Sequence, residues 1–137
     1  MITFNYETAF VLKNEINIAT WIEQVVVSEG FVLGEINYIY CDDNYLNNIN
    51  IEFLKHDTYT DIISFDYTLG KQLNGDIYIS TQRVLENAKI YNVTHENELY
   101  RVMIHGVLHY MGFKDKTIND KKVMRNKENA SILLLNP

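Results

Sequence analysis

The stretch HGVLHYMGFKD, at positions 105–115, decides how this chain is interpreted. His105 and His109 stand four residues apart, Gly112 follows them, and Asp115 comes three residues after the glycine. Each residue of an α-helix advances by about 100°, so the two imidazoles would lie one above the other on one face of a helix. Their β-carbons would be about 5–6 Å apart, close enough for both rings to reach one ion.

Gly112 is expected to end this helix, since glycine adopts a left-handed turn without steric cost. The reversal would bring Asp115 back toward the two imidazoles. Two histidines and one aspartate leave a fourth position open, which is typical of catalytic rather than structural zinc sites. We therefore expect His105, His109 and Asp115 to bind one Zn²⁺ per chain. The alternative is a helix that carries two packed or exposed histidines and binds no metal.

Gly106 stands where the zinc peptidases of the HExxH type carry their catalytic glutamate. A glycine has no group that could accept a proton, so a metallopeptidase is the weaker alternative, and no protein base is assigned. A metal at this site would still acidify water and polarise a substrate oxygen. The negative charge of Asp115 would reduce that acidifying effect, which suits a substrate that brings its own charge to the metal, such as a phosphodiester.

Composition predicts one cytoplasmic domain spanning residues 1–137. The single cysteine, Cys41, excludes an internal disulfide framework and fits a reducing compartment. We find neither a signal peptide nor an apolar run of the roughly 18 residues that span a bilayer, so no membrane association is expected.

The basic residues are concentrated directly after the histidine stretch. The formal net charge of the chain is −6, which by itself disfavours a nucleic-acid partner. Residues 113–137, however, hold six of the twelve Lys and Arg residues: Lys114, Lys116, Lys121, Lys122, Arg125 and Lys127. This cluster is either a solvated helix face or a surface that attracts phosphates.

Hydrophobic periodicity predicts nine elements in the order strand, helix, strand, helix, two strands and three helices. The strands are expected at 2–6, 34–43, 61–67 and 76–80, and three of the helices at 14–29, 44–54 and about 119–134. The third helix carries Val84, Leu85, Ala88 and Tyr91, and the fourth carries Leu99, Val102, Met103 and Leu108. Ser80 or Thr81 and Thr94 are the expected caps of the third and fourth helices. This alternation favours an α/β or α+β domain in which helices pack on a mixed sheet.

Three motifs together resemble those of the YbeY family, metal-dependent endoribonucleases of ribosomal RNA maturation. HGVLHYMGFKD resembles the family signature HGxLHLxGYDH, TDIISFDY at 60–67 is similar to TDVLSFP, and GDIYIS at 75–80 is similar to GDIxIS. The resemblance implies a mixed four-stranded sheet flanked by about five helices, with the metal helix near the C-terminus. It also implies a zinc-dependent endoribonuclease that acts on single-stranded RNA in maturation of the 16S ribosomal RNA 3′ end and in ribosome quality control. The small ribosomal subunit or its proteins would be partners.

The resemblance also suggests substrate contacts and shows three departures. Asp115 replaces the family's third histidine, Lys114 replaces an aspartate, and Leu54 stands where the family has an arginine, for which neighbouring Lys55 would substitute. The expected substrate-binding residues are Lys55, His56, Thr60, Ser64, Asp76, Lys114, Lys116, Lys121 and Lys122. Thr60, Ser64 and Asp76 could equally be hydrogen-bonding residues at strand ends. A non-catalytic, ribosome-associated factor stabilised by its metal is the alternative from another functional class.

Overall fold

The computed structural model describes residues 1–56 and 59–135, and the order of its elements is the predicted one. In chain order they are β1 (Ile2–Tyr6), α1 (Glu15–Ser28), β2 (Val32–Cys41), α2 (Asp43–Leu54), β3 (Ile62–Asp66), β4 (Gln72–Ser80), α3 (Thr81–Tyr91), α4 (His95–Tyr110) and α5 (Ile118–Leu135). The largest difference from the prediction is at β4, which begins four residues early. Polar Gln72 and Asn74 interrupt the apolar pattern that indicates a strand. In the structure Gln72 pairs with Val32 of β2, and the Asn74 carbonyl accepts a hydrogen bond from the backbone N–H of Tyr67.

The four strands form one mixed sheet in the order β1-β2-β4-β3. The neighbours β1, β2 and β4 are parallel, whereas β3 runs antiparallel to β4 and forms one edge. The predicted α/β class with a mixed four-stranded sheet and five helices is therefore confirmed.

Side chains along β4 point alternately to the two faces of the sheet, and each face has its own apolar cluster. Ile77 and Ile79 are fully buried in the main core, which also contains the apolar residues of α1 and α4. Tyr78 points the other way and packs against a smaller cluster built on Cys41, Leu46 and Ile63, beneath α2. Successive side chains of a strand point to opposite faces, so a shift of one residue would exchange the two sides.

Helix α4 is fixed at both ends and along its length. The Thr94 side chain accepts a hydrogen bond from the backbone N–H of Asn97 (3.0 Å) and caps the helix as predicted. Gly112 ends it with a φ of +95°. Between them, the Tyr110 hydroxyl donates to the Phe65 carbonyl (2.9 Å) on β3, and the Tyr38 hydroxyl on β2 donates to the Met103 carbonyl (2.9 Å). These bonds determine where the histidines of α4 lie relative to the sheet.

Helix α5 packs against α1 and α4. The indole N–H of Trp21 on α1 donates to the Ser131 carbonyl of α5 at 2.7 Å, in the buried interior. Met124 and Ile132 of α5 belong to the main core. In the part of the chain that the structure describes, no helix has both the length and the apolar character that a membrane crossing requires.

Candidate metal centre

The three predicted ligands converge on one point. His105 and His109 lie one turn apart on α4, and their Nε2 atoms are 3.0 Å apart. The Oδ2 atom of Asp115, from the loop after Gly112, lies 3.3 Å from Nε2 of His105 and 3.4 Å from Nε2 of His109. The same three atoms therefore form a nearly equilateral triangle, and the three residues form a group that could hold a metal ion.

This triangle fits a tetrahedral ion with short bonds. Bonds of about 2.0–2.1 Å to nitrogen and oxygen place neighbouring ligand atoms of a tetrahedron about 3.3 Å apart. The observed sides of 3.0, 3.3 and 3.4 Å agree with that spacing. Calcium, with bonds of about 2.3–2.6 Å and a preference for six to eight oxygen ligands, fits this donor set less well.

A second carboxylate lies behind His105. The Nδ1 atom of His105 is 2.7 Å from Oε2 of Glu128, a residue of α5 that is only 4% exposed. Burial lowers the pKa of His105, but the hydrogen bond and charge of Glu128, followed by the charge of Asp115, outweigh it and raise that pKa overall. A histidine that bonds a carboxylate through one ring nitrogen presents the other nitrogen to a metal.

The ligands open into a hollow of about 440 Å³, which we call the metal-site cavity. Its walls come from β3 and the segment before it, from α3, from α4 and from α5. Its charged lining residues other than histidine are the carboxylates of Asp61, Glu98, Asp115 and Glu128 and the guanidinium groups of Arg101 and Arg125. Among the residues that the structure describes, this is a formal excess of two negative charges, which a divalent cation would neutralise.

Two carboxylates of the cavity are partly removed from water. Burial raises the pKa of Asp61, against the lowering effect of its own backbone hydrogen bond and of His105. Burial likewise raises the pKa of Glu98 and outweighs the lowering effect of Arg101, which lies 4.0 Å away. A positive ion in the cavity would favour the ionised form of both groups.

Gly106 has a packing role that explains the absence of a glutamate. The residue is buried where α4 crosses the sheet, and a β-carbon there would lie 3.1 Å from Cδ1 of Ile77 and 3.2 Å from Cδ1 of Ile62. A glutamate side chain would extend into this apolar contact and carry a charge that has no partner there. The position therefore cannot supply the base of an HExxH peptidase without moving the helix away from the sheet.

The structure divides the predicted substrate residues of the sheet between two cavities. Thr60 and Ser64 line the metal-site cavity, together with Asn87 and Tyr91 of α3. Asp76 lies on the opposite side of the sheet, in a hollow of about 510 Å³ that we call the aromatic cavity. The aromatic side chains that line the aromatic cavity are Tyr45, Phe53, Phe65, Tyr67 and Tyr78. Asp76 accepts a hydrogen bond there from the Asn37 amide (2.9 Å).

The basic residues predicted to bind substrate lie in different places relative to His105, His109 and Asp115. Lys121 shares a smaller hollow of about 260 Å³ with His105, Asp115 and Arg125. Lys114, Lys116 and Lys122 are exposed on the loop after α4 and the first turns of α5. Lys55 and His56 are exposed at the end of α2, and among the described residues they do not line the metal-site cavity.

Sequence reasoning missed most of the charged residues around the ligands. Glu98, Arg101, His105 and His109 follow one another at steps of three or four residues, so a polar stripe on an otherwise apolar helix was a usable signal. Asn87 and Tyr91 are spaced by four residues on α3 in the same way. Glu128 had no comparable signal, because it lies 23 residues after His105 and on another helix.

Residues 3–136 match the family model described as endoribonuclease YbeY. The chain belongs to the endoribonuclease YbeY family. Proteins named endoribonuclease YbeY are 56% identical to it in Flavobacterium johnsoniae, over 98% of this chain and 96% of the relative, and 55% identical in Christiangramia forsetii, over 97% and 93%. The solution structure of TM1509 from Thermotoga maritima is 27% identical, covers 98% of this chain and 89% of its own, and superposes with a TM-score of 0.72.

The family resemblance expected from the three motifs is therefore confirmed, and with it the enzyme class, an endoribonuclease. The YbeY relatives align with nearly the whole chain, including β1 and α5, whereas the quoted motifs span only the central part. The three residues that could hold a metal ion, His105, His109 and Asp115, all lie in the motif at 105–115.

Proposed function

We propose that this chain is a zinc-dependent, single-strand-specific endoribonuclease of the cytoplasm, built as one domain, that matures the 3′ end of 16S ribosomal RNA and serves ribosome quality control. The observation that carries the zinc part of the proposal is the triangle of Nε2, Nε2 and Oδ2 atoms with sides of 3.0–3.4 Å. The RNA part is supported by membership in the endoribonuclease YbeY family. The small ribosomal subunit or its proteins are the proposed partners.

In this proposal His105, His109 and Asp115 hold one zinc ion per chain. A zinc ion there would supply positive charge for a phosphodiester oxygen and acidify the water, or activate the ribose hydroxyl, that attacks phosphorus. The protein contributes orientation, because the turn at Gly112 brings Asp115 back to the two histidines. The cavity contributes a polar space that is open to a strand of RNA.

The proposed RNA contacts lie on three walls of the metal-site cavity. Thr60 and Ser64 offer hydroxyl groups to phosphate or ribose, Asn87 offers an amide, and the exposed ring of Tyr91 offers a face on which an unpaired base can stack. Arg125 and Lys121 offer positive charge to phosphate groups beside His105 and Asp115. Lys114, Lys116 and Lys122 would attract phosphates from farther along the strand.

The remaining predicted contacts would require a longer path of the RNA. Lys55 and His56 could meet a strand that continues past the end of α2, and Asp76 could meet one that reaches the aromatic cavity. Glu52 and Asp76 line the aromatic cavity, and their negative charges disfavour phosphate there.

The decisive experiment compares wild type, chelated protein and His109→Ala on single-stranded RNA and on casein. Loss of RNA cleavage in both treatments supports the proposal, whereas proteolysis would favour the metallopeptidase alternative. No cleavage of either substrate, with a melting temperature that falls on chelation, would favour a metal-stabilised ribosome factor. His95→Ala is the matched control, because His95 is on the same helix but at its N-terminal end. Analysis of the RNA ends identifies the attacking group, because a 2′,3′-cyclic phosphate requires attack by the ribose hydroxyl and a 5′-phosphate requires attack by water.

A further inference from the structure

Glu128 is the most deeply buried charged side chain in contact with a proposed ligand. Its side chain is 5% exposed, and its Oε2 atom makes the 2.7 Å contact with Nδ1 of His105. The two residues come from different helices, α5 and α4, so nothing in the local geometry of either helix brings them together. Their contact is a product of how α5 packs.

A carboxylate in this position costs free energy unless its oxygens are paired. The Oε1 atom accepts a hydrogen bond from Nη1 of Arg101 at 3.2 Å, and Nη1 of Arg125 is 3.6 Å away. The guanidinium groups therefore neutralise one oxygen and leave Oε2 to His105. Arg101 is itself held by the Asn129 amide oxygen at 2.8 Å, so the orientation of the carboxylate is determined from both ends.

We propose that Glu128 is the positioning residue of the metal centre. It holds the proton of His105 on Nδ1, so that the lone pair of Nε2 points into the ligand triangle. Its negative charge makes that nitrogen a stronger donor to a metal. Arg101 keeps the carboxylate aligned and prevents it from turning toward the ion itself. The inference rests on the metal site proposed above and adds a residue to it.

The competing explanation is that Glu128 only ties α5 to α4 through Arg101. A tether would contribute to the stability of the metal-free fold but would have no effect on the ring of His105. Two observables separate the explanations. One is the affinity for zinc of the folded protein, and the other is the tautomer of His105, which nitrogen NMR measures in the metal-free protein above the pKa of that histidine.

The test uses the full chain with Glu128→Ala and Glu128→Gln. Titration against a chromophoric chelator should show zinc affinity about ten- to a hundredfold weaker for Glu128→Ala, the range typical of lost outer-shell partners. Glu128→Gln should lie between wild type and Glu128→Ala, since its amide oxygen can still accept from His105 but carries no charge. In the metal-free alanine variant, the proton of His105 should no longer be confined to Nδ1.

Glu98→Gln is the matched control. Glu98 is buried to the same degree as Glu128 (5% against 4% exposed) and also pairs with Arg101, yet its contacts do not include His105. It should leave the His105 tautomer unchanged and weaken zinc binding by much less than Glu128→Ala does. Unchanged affinity and tautomer in both Glu128 variants, with only a lower melting temperature, would overturn the inference. If wild type itself binds no zinc, the proposed metal site is wrong, and not only the role of Glu128. If Glu128→Ala does not fold, the zinc affinity and the His105 tautomer of Glu128→Gln test the inference.

Discussion

The metal-site cavity and the aromatic cavity are similar in volume, about 440 and 510 Å³, but differ in chemistry. Imidazoles, carboxylates and guanidinium groups line the first, whereas five aromatic rings dominate the second. Both include residues of β3, from opposite faces of that strand. Size alone therefore does not identify the functional cavity of this molecule.

The difference originates in which helix covers which face of the sheet. Helix α4 lies over the face of Ile77 and presents a polar stripe that ends in the two histidines. Helix α2 lies over the face of Tyr78 and presents Tyr45, Ile49 and Phe53 instead. Strand β3 thus borders two environments. Helices supply the imidazoles and guanidinium groups of the metal-site cavity, whereas α2 and the strands both supply aromatic rings to the other cavity.

The largest expected effect compares one carboxylate from each cavity. Structural zinc sites bind with about 10–16 kcal/mol, so losing one of three protein ligands should cost about 4 kcal/mol, or about a thousandfold in zinc affinity. Asp115→Ala should show this loss in a chelator competition, and Asp76→Ala should stay near the wild-type value. Weaker zinc binding in Asp76→Ala would mean that the sheet does not separate the two cavities functionally.

A second comparison concerns two tyrosines of equal exposure. Tyr91 is 59% exposed at the metal-site cavity and Tyr67 is 57% exposed at the aromatic cavity. Stacking of a base is worth about 1–3 kcal/mol, so Tyr91→Ala should raise KM for a short single-stranded RNA by about five- to 150-fold with little change in kcat. Tyr67→Ala should change KM by less than about twofold. Equal effects of the two substitutions would place RNA on both faces of the sheet.

A smaller effect is expected for a lysine beside the ligands. Lys121→Ala should weaken RNA binding a few-fold and lower the slope of log affinity against log salt by about 0.7, the value for one phosphate contact on a single strand. Lys13→Ala, an exposed lysine between β1 and α1, is the control and should leave the slope unchanged. Binding would be followed by fluorescence anisotropy at several salt concentrations. A slope that is the same in both variants would remove Lys121 from the RNA path.

The smallest expected effect is that of zinc removal on Cys41, which is fully buried in the cluster beneath the aromatic cavity. Burial, with smaller contributions from Asp42, Asp43 and Glu7, raises the pKa of its thiol from 9.0 to about 12. Only the thiolate reacts, so at pH 8 labelling should be about a thousandfold slower than for an ordinary thiol and should accelerate as pH rises. Removing zinc should leave the labelling rate unchanged. Faster labelling after chelation would show that the two sides of the sheet are coupled.

Much of the fold could be predicted because its signals are local. The order of the nine elements followed from periodicity, and the Thr94 cap and the Gly112 stop of α4 were predicted from residue type. The face on which Asp76 lies was harder to predict. The motif that contains it resembles part of a cleft, but the direction of each side chain depends on the register of β4 against its neighbours.

The sequence by itself determined that His105, His109 and Asp115 come together. His105 and His109 are one helical turn apart, Gly112 reverses the chain, and Asp115 lies only three residues farther on, so backbone geometry suffices to bring the three together. Only the tertiary structure decided what surrounds them: Glu128 behind His105, Tyr91 across the cavity, and Asp76 on the far side of the sheet. The physical reason is range, since helix periodicity orders neighbours within about two turns, whereas contacts between elements depend on the packing of the whole core.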